Sequence, residues 1–427
     1  MELIAMIIVL LLFIVINVPV AFAIIGSVAI YFLIADNFEG MVLVQRMISG
    51  LESVPLMAII FFMASGILMN YTGITKRLLG FAEIITRPLP GALAQVNITL
   101  SVLMSGLSGS NIADASMQSK MLVPTMAEKG YDKGFATALT ATASIITPII
   151  PPGIALIMYG YVGNISIGDL FMAGILPGLI LALLLMIYVH FYAKRNNLEI
   201  EKKDKATAKE FFFGLKDAIL ALLFPVIIIG GIRFGFFSAT EAGAVAVLYA
   251  LILGLFVYRE MSLKNLKDAI IEAVHSGAGI LIIIAAGTAF GWVLTLEQVP
   301  QMMTESITGL ISSPVMFFIV ILLFLLIIGM FIEGNVAIII LTPLFMPMLA
   351  EYGIDPVHFG IFFIITLSIG TITPPVGTIM FVTSSVTGIK VEQFVKASIP
   401  FMIILIIASL LLAFIPQISL LLPTLLN

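Results

Sequence analysis

The sequence predicts an all-α integral membrane protein made of two copies of one plan, and three observations carry that prediction. Of its 427 residues, 61% are hydrophobic and only 10% charged, against roughly 25% charged in a soluble domain. Apolar stretches at 1–34, 43–71, 168–193, 268–296 and 395–423 are each long enough to cross a bilayer, which takes about 20 residues of helix. The same residues also recur at a fixed offset of 223. Pro124 pairs with Pro347, Pro151-Pro152 with Pro374-Pro375, Pro177 with Pro400, Asp132 with Asp355 and Phe171 with Phe394. Proline inside a helix is costly, so a shared, ungapped proline spacing marks an internal duplication.

Lipid offers the backbone no hydrogen bonds, so the spans must be helices. The ten-residue alternating segments of a β-barrel are absent. The chain begins with an apolar run ending near Ala21-Phe22-Ala23, but its only early charge is Glu2. Without a basic leader it reads as an uncleaved span. Whether 1–34 crosses once or twice is open, because Asn17 and Pro19 permit a break. The first repeat, 1–193, is expected to hold outer spans, a hairpin at 91–126, a broken helix at 133–160 and a span at 168–193. Residues 194–216 carry seven of the 20 Lys and Arg (Lys194, Arg195, Lys202, Lys203, Lys205, Lys209 and Lys216) and read as a solvated cytoplasmic linker. The second repeat, 217–427, should hold outer spans, a hairpin at 302–350, a broken helix at 355–386 and a span at 395–423.

The basic residues also set orientation. Lys76, Arg77 and Arg87, the linker, Arg259, Lys264 and Lys267, and Lys390 and Lys396 all mark cytoplasmic loops. Counting crossings between them starts segment 91–126 inside and segment 302–350 outside. The repeats are therefore expected to be inverted, each with a re-entrant hairpin, an arrangement found in alternating-access transporters.

In such folds the binding sites lie where helices break. The breaks are Ile146-Thr147-Pro148-Ile149-Ile150-Pro151-Pro152-Gly153 and Gly370-Thr371-Ile372-Thr373-Pro374-Pro375-Val376-Gly377. Proline frees nearby carbonyls, Thr147, Thr371 and Thr373 add hydroxyls, and hard cations such as sodium take oxygen ligands. The hairpin tips are Ser105-Gly106-Leu107-Ser108-Gly109-Ser110-Asn111 and Phe331-Ile332-Glu333-Gly334-Asn335; polar groups at membrane depth must face protein or water. Candidate sodium and substrate residues are Ser105, Ser108, Ser110, Asn111, Thr147, Gly334, Asn335, Thr371 and Thr373, with Pro148, Pro151, Pro152, Pro374 and Pro375 making the breaks. Glu333 is expected to support a site rather than ligate an ion. Asp114, Lys120, Arg233, Glu241, Glu272 and Glu297 lie in or near apolar segments, some of them at interfaces, and Arg233 marks a water-facing turn or attracts an anion. His190, His275 and His358 lack metal spacing and there are no cysteines, so no transition metal, disulfide or thiolate chemistry is expected. A net charge of −4 without a dense basic run speaks against nucleic acid.

Together, Ser105–Ser116, Leu122–Gly134, Thr147–Gly153, Thr240-Glu241-Ala242-Gly243 and Gly370–Gly377 resemble the large membrane subunit of the tripartite ATP-independent periplasmic (TRAP) transporters, across essentially the whole chain. The resemblance implies sodium-driven import of a carboxylate such as sialic acid, another sugar acid or a C4-dicarboxylate, through a multi-pass protein of the bacterial inner membrane. It implies an elevator in which hairpins and broken helices slide against a scaffold of the other spans. It also implies two partners, a small four-helix membrane subunit and a periplasmic substrate-binding protein. Sodium is the coupling ion and no other cofactor is implied. Each positive charge moved inward gains about 2.3 kcal/mol per 100 mV, so two or more sodium ions per anion favour uptake. The alternatives are a stand-alone anion permease, a channel, or an intramembrane serine protease suggested by Gly106-Leu107-Ser108-Gly109. An ATP-driven pump is disfavoured, because the sequence holds no Walker motif or phosphorylation loop.

Overall fold

A computed structural model describes residues 1–16, 18–35, 40–198, 206–311 and 313–426, and all regular structure among them is helical. Among the described residues, seven helices are long and apolar enough to cross a membrane, or eight if a pair bent by 60° counts as one. That pair is Met41–Leu51 and Val54–Asn70, with a proline in the first turn of the second helix, where its missing N–H costs nothing.

The N-terminal stretch 1–34 is two helices, Glu2–Val15 and Val20–Ile34. They fold back on each other so closely that the Phe13 ring fills the space a side chain at Gly26 would need. Asn17 itself lies outside the described residues, as do Lys202, Lys203 and Lys205 of the basic linker. The linker is shorter than its composition implied. Helix Ala208–Arg233 already begins inside 194–216, because Thr207 and Glu210 form a capping box that starts a helix on local chemistry alone.

The 223-residue offset maps helix onto helix. The first hairpin has arms Ala92–Ser108 and Asn111–Glu128, the second Pro314–Phe331 and Gly334–Glu351. The second hairpin thus starts at Pro314, not 302. Residues 302–310 belong to a separate helix, Val299–Leu310, which matches Ile74–Thr86 ahead of the first hairpin. The broken helices are Lys133–Ala143 with Ile154–Gly163, and Pro356–Gly370 with Thr378–Thr387. Asp132 and Asp355 cap their first halves, accepting from the amides of Phe135 (2.8 Å) and of Val357 and His358 (2.8 and 3.1 Å), each cap worth about 1 kcal/mol. The last span also differs from expectation: Val391–Phe414 ends before Pro416, and a further helix, Gln417–Leu426, follows.

Burial separates two layers. Every residue from Gly134 to Ala143 and from His358 to Gly370 is buried, so these segments meet protein on every side. Around them, Val54–Asn70 packs on Ala239–Ile252, and Leu263–Leu296 packs on Met41–Leu51, Val20–Ile34 and Val54–Asn70. Broad apolar faces of these outer helices stay exposed, including Val226, Leu248 and Val274, as lipid requires.

Candidate functional site

Where the inner layer meets the outer one, a cavity of about 270 Å³ opens. Both hairpin tips reach it, through Ser110 and Asn111 from the first and Glu333, Gly334 and Asn335 from the second. Pro148 enters from the first break, Ser368 from the second broken helix, and Asn70, Glu272 and Ser276 from the outer helices.

The tips are shaped by local chemistry. Gly109 ends the first arm at φ +60° with Pro152 O about 3.1 Å from where a Cβ would sit, so the chain turns there in a conformation that favours glycine. Ser110 then caps the second arm by accepting from the Ala113 amide (3.4 Å). At the same repeat position Glu333 does the same job, accepting from the Val336 amide (3.2 Å) and from Asn335 Nδ2 (2.9 Å). Each tip therefore presents a helix N-terminus, with its positive end and spare N–H groups, to the cavity.

Both Pro-Pro peptides are cis. Among the described residues, the carbonyls of Pro148, Ile149, Ile150, Pro151 and Pro152 receive no hydrogen bond, nor do those of Ile372, Thr373, Pro374, Pro375 and Val376. Gly153 is pressed onto Pro148 O, and Gly377 onto the carbonyl oxygens of Thr371 and Thr373, which lie 3.0 and 2.7 Å from its Cβ position. Beside the first break the Thr147 hydroxyl donates to Asp114 Oδ2 at 2.6 Å. Both residues are almost fully buried, at 0% and 1% exposure. The first break thus places carbonyl oxygens without hydrogen-bond partners near a buried carboxylate, and oxygen ligands of this kind are what hard cations take. Among the described residues no group of His, Cys, Asp and Glu could hold a transition metal.

The candidates thus fall into three groups. Ser110, Asn111, Pro148, Gly334 and Asn335 line the cavity. Thr147, Thr371, Thr373, Pro151, Pro152, Pro374 and Pro375 lie at the breaks beyond its lining. There the Thr371 and Thr373 hydroxyls donate to Ser368 O (2.6 Å) and Ile369 O (2.8 Å), while Thr371 O accepts from the Ile379 amide (3.0 Å). Ser105 is buried and turned onto its own helix, donating to Val102 O at 2.5 Å; the Ser108 side chain is outside the described residues. Sequence reasoning gave Asp114 no site role, although its place in the first turn after a polar tip was a usable signal. It gave Glu272 none either, and nothing local marks Asn70 or Ser276. Among the described residues no histidine lines the cavity, and His358 is paired with Ser419 Oγ (2.8 Å), on the C-terminal helix.

Comparison with known proteins agrees with this architecture. The sequence profile of the tripartite ATP-independent periplasmic transporter, DctM component, matches residues 7–418. The chain is 40% identical to the sialic acid TRAP transporter large permease protein of Vibrio cholerae, over 96% of this chain and 95% of that one. It is 37% identical to the 2,3-diketo-L-gulonate TRAP transporter large permease protein of Escherichia coli, over 95% of each. Among solved structures, the YdaH transporter of Alcanivorax borkumensis shares the fold, with a TM-score of 0.65 at 14% identity, over 96% of this chain and 98% of that one.

Proposed function

Because this chain belongs to the DctM-component family of the tripartite ATP-independent periplasmic transporters, we propose that it is the sodium-coupled conduit through which one organic acid enters the cell. Family membership makes it a transporter subunit for organic anions rather than an enzyme, and a multi-pass protein of the bacterial inner membrane. The coupling ion, the mechanism and the partners are the proposal.

The observation that carries it is the convergence of both hairpin tips, one break and the outer helices on a single cavity. The carboxylate end of the substrate docks against the N–H groups at the first tip, where a helix dipole offers positive potential without a buried lysine or arginine. The second tip's helix, by contrast, is already capped by the Glu333 carboxylate. Sodium ions, as co-transported substrates, bind among the free carbonyls of the breaks, one of them beside Asp114 and Thr147. They offset the charge of the anion and, in excess of it, draw uptake from the membrane potential. Hairpins and broken helices move as one body across the outer helices, carrying the cavity from one face to the other. The two repeats supply the inverted, pseudo-symmetric halves that such alternation uses. A small four-helix membrane subunit widens the static part, and a periplasmic binding protein delivers the substrate. The two relatives carry sialic acid and a diketo-gulonate, according to their names, which favours a sugar acid.

The test is uptake into proteoliposomes holding this chain and its small subunit, with a loaded binding protein outside and an inward sodium gradient. Uptake should require both the gradient and the binding protein. Uptake indifferent to both would replace this reading with a stand-alone permease or channel.

A further inference from the structure

A second cavity, of about 560 Å³, lies away from the transport cavity, at the seam where the two repeats meet. The first repeat contributes Lys133, from the start of helix Lys133–Ala143, and Tyr188 and Tyr192, from helix Ile167–Arg195. The second repeat contributes Lys396 and Pro400 from helix Val391–Phe414. Among the described residues, neither lysine forms an ion pair and neither tyrosine hydroxyl forms a hydrogen bond. The one acid in the lining, Asp132, is engaged in capping its own helix through the Phe135 amide. Apart from Gln393 and two glycines, the rest of the wall is apolar, made by Phe135, Ile389, Ala397 and Pro400, with Phe135 stacked on Tyr192 at 3.7 Å between ring centres.

The duplication provides an internal control. At the offset of 223, Phe135 corresponds to His358, Tyr188 to Leu411, Tyr192 to Ile415, Lys396 to Ala173 and Pro400 to Pro177. In that copy the chain fills the place itself. Helix Gln417–Leu426 packs on both Ile167–Arg195 and Pro356–Gly370, and its Ser419 hydroxyl sits 2.8 Å from His358 Nδ1. No cation lines that plugged copy at the equivalents of Lys133 and Lys396, which are Pro356 and Ala173. The open copy differs from the plugged one in having two ammonium groups and two phenols around a space.

We propose that the open copy binds a phosphate-bearing anion, with its charge between Lys133 and Lys396 and its oxygens accepting from Tyr188 and Tyr192. Tyr192 is followed by Lys194 and Arg195, so this end of the span is the basic, cytoplasmic end. Tyrosines there sit at headgroup level, and the apolar wall suits the glycerol and first methylenes of an acidic phospholipid in the inner leaflet. A free phosphate compound of the cytoplasm presents the same charge to the same groups. Either ligand bridges the repeats where the plugged copy uses a helix.

The experiment is native mass spectrometry of the intact membrane complex, released from vesicles of phosphatidylglycerol or of phosphatidylcholine. Phosphatidylglycerol should be retained and phosphatidylcholine not. The double variant Lys133→Gln/Lys396→Gln should cut retention by roughly tenfold or more, as expected for removing two lysines near an anionic headgroup. Lys264→Gln/Lys267→Gln, with the same charge change elsewhere, should leave it intact, and circular dichroism checks that each variant is folded. Displacement of the lipid by excess inorganic phosphate would assign the site to a soluble phosphate compound; resistance would assign it to lipid. Equal retention of both lipids, or equal loss in the two double variants, would overturn the proposal.

Discussion

The two hairpins share a backbone plan and differ in what fills it. The first is polar inside. Asn97 donates to Thr140 (2.6 Å), Ser101 bonds Gln118 (3.2 Å), and Thr147 bonds Asp114 (2.6 Å). At the offset of 223 these become Val320 and Phe363, Phe324 and Leu341, and Gly370 and Ala337. The second hairpin instead rests on a cluster of rings, with Phe318 against Phe362 at 4.9 Å and Phe345 against Phe363 at 5.6 Å. Polar atoms kept from water are expensive unless bonded. Gln95 Oε1, Asn97 Oδ1 and Ser119 Oγ are buried with no partner. Among the described residues the first hairpin therefore bears a cost that the second hairpin avoids; in the second repeat the orphaned buried hydroxyls, those of Thr366, Thr378, Ser384 and Ser409 among them, all lie outside its hairpin. The comparison teaches that duplication copied the frame and left the interior free to specialise.

Four measurements would sharpen or break that contrast. The largest effect on transport is expected at the buried carboxylate. Asp114→Asn keeps the shape but removes the charge, and a charge-assisted bond of about 3 kcal/mol corresponds to roughly a hundredfold rise in the sodium concentration for half-maximal uptake. An unchanged sodium dependence would remove Asp114 from the ion site. Next, Phe363→Ala should cost about 3–5 kcal/mol of stability by opening a cavity in the ring cluster, read as a lowered midpoint of thermal unfolding in detergent.

Third comes a close approach of backbone to backbone. A side chain at Gly329 would sit 2.5 Å from Leu367 O, and one at Gly370 2.5 Å from the Gly329 Cα. Gly329→Ala should thus destabilise by about 1–3 kcal/mol through overpacking against rigid backbone. A variant as stable as the parent would mean that this contact is loose. Smallest is Asn97→Leu, for which about 1–2 kcal/mol is expected. It loses one buried hydrogen bond but also removes an orphaned carbonyl oxygen, and the Thr140 hydroxyl keeps Ala136 O as partner at 2.8 Å. If Asn97→Leu cost more than Phe363→Ala, the view of the polar interior as a burden rather than a source of stability would fail.

Much of this was legible beforehand. The proline spacing gave the repeat, and with it the position of both breaks, because proline acts through its own ring and needs no neighbour to do so. The boundaries that failed had other causes. Residues 302–310 were joined to the apolar run that follows, although Thr304, Glu305, Ser306 and Thr308 and the matching of Val299–Leu310 with Ile74–Thr86 set them apart. The linker was overextended because charge was read without its capping box. At the site, the polar tips were found because polarity stands out against an apolar background. Glu272 and Ser276 were not recognised, because a polar residue on a long helix shows nothing of which neighbour it faces.

By itself, then, the sequence determined the solvent, the helical class, the duplication and the location of the breaks. Those follow from hydropathy, from proline and glycine chemistry, and from periodicity, which act over a few residues or by simple counting. The tertiary structure alone decided that both tips share one cavity, that Thr147 is spent on Asp114, and that one copy of the repeat seam is plugged while the other stands open. Such facts depend on which helix faces are pressed together across some two hundred residues of chain, and packing of that kind leaves no local signature.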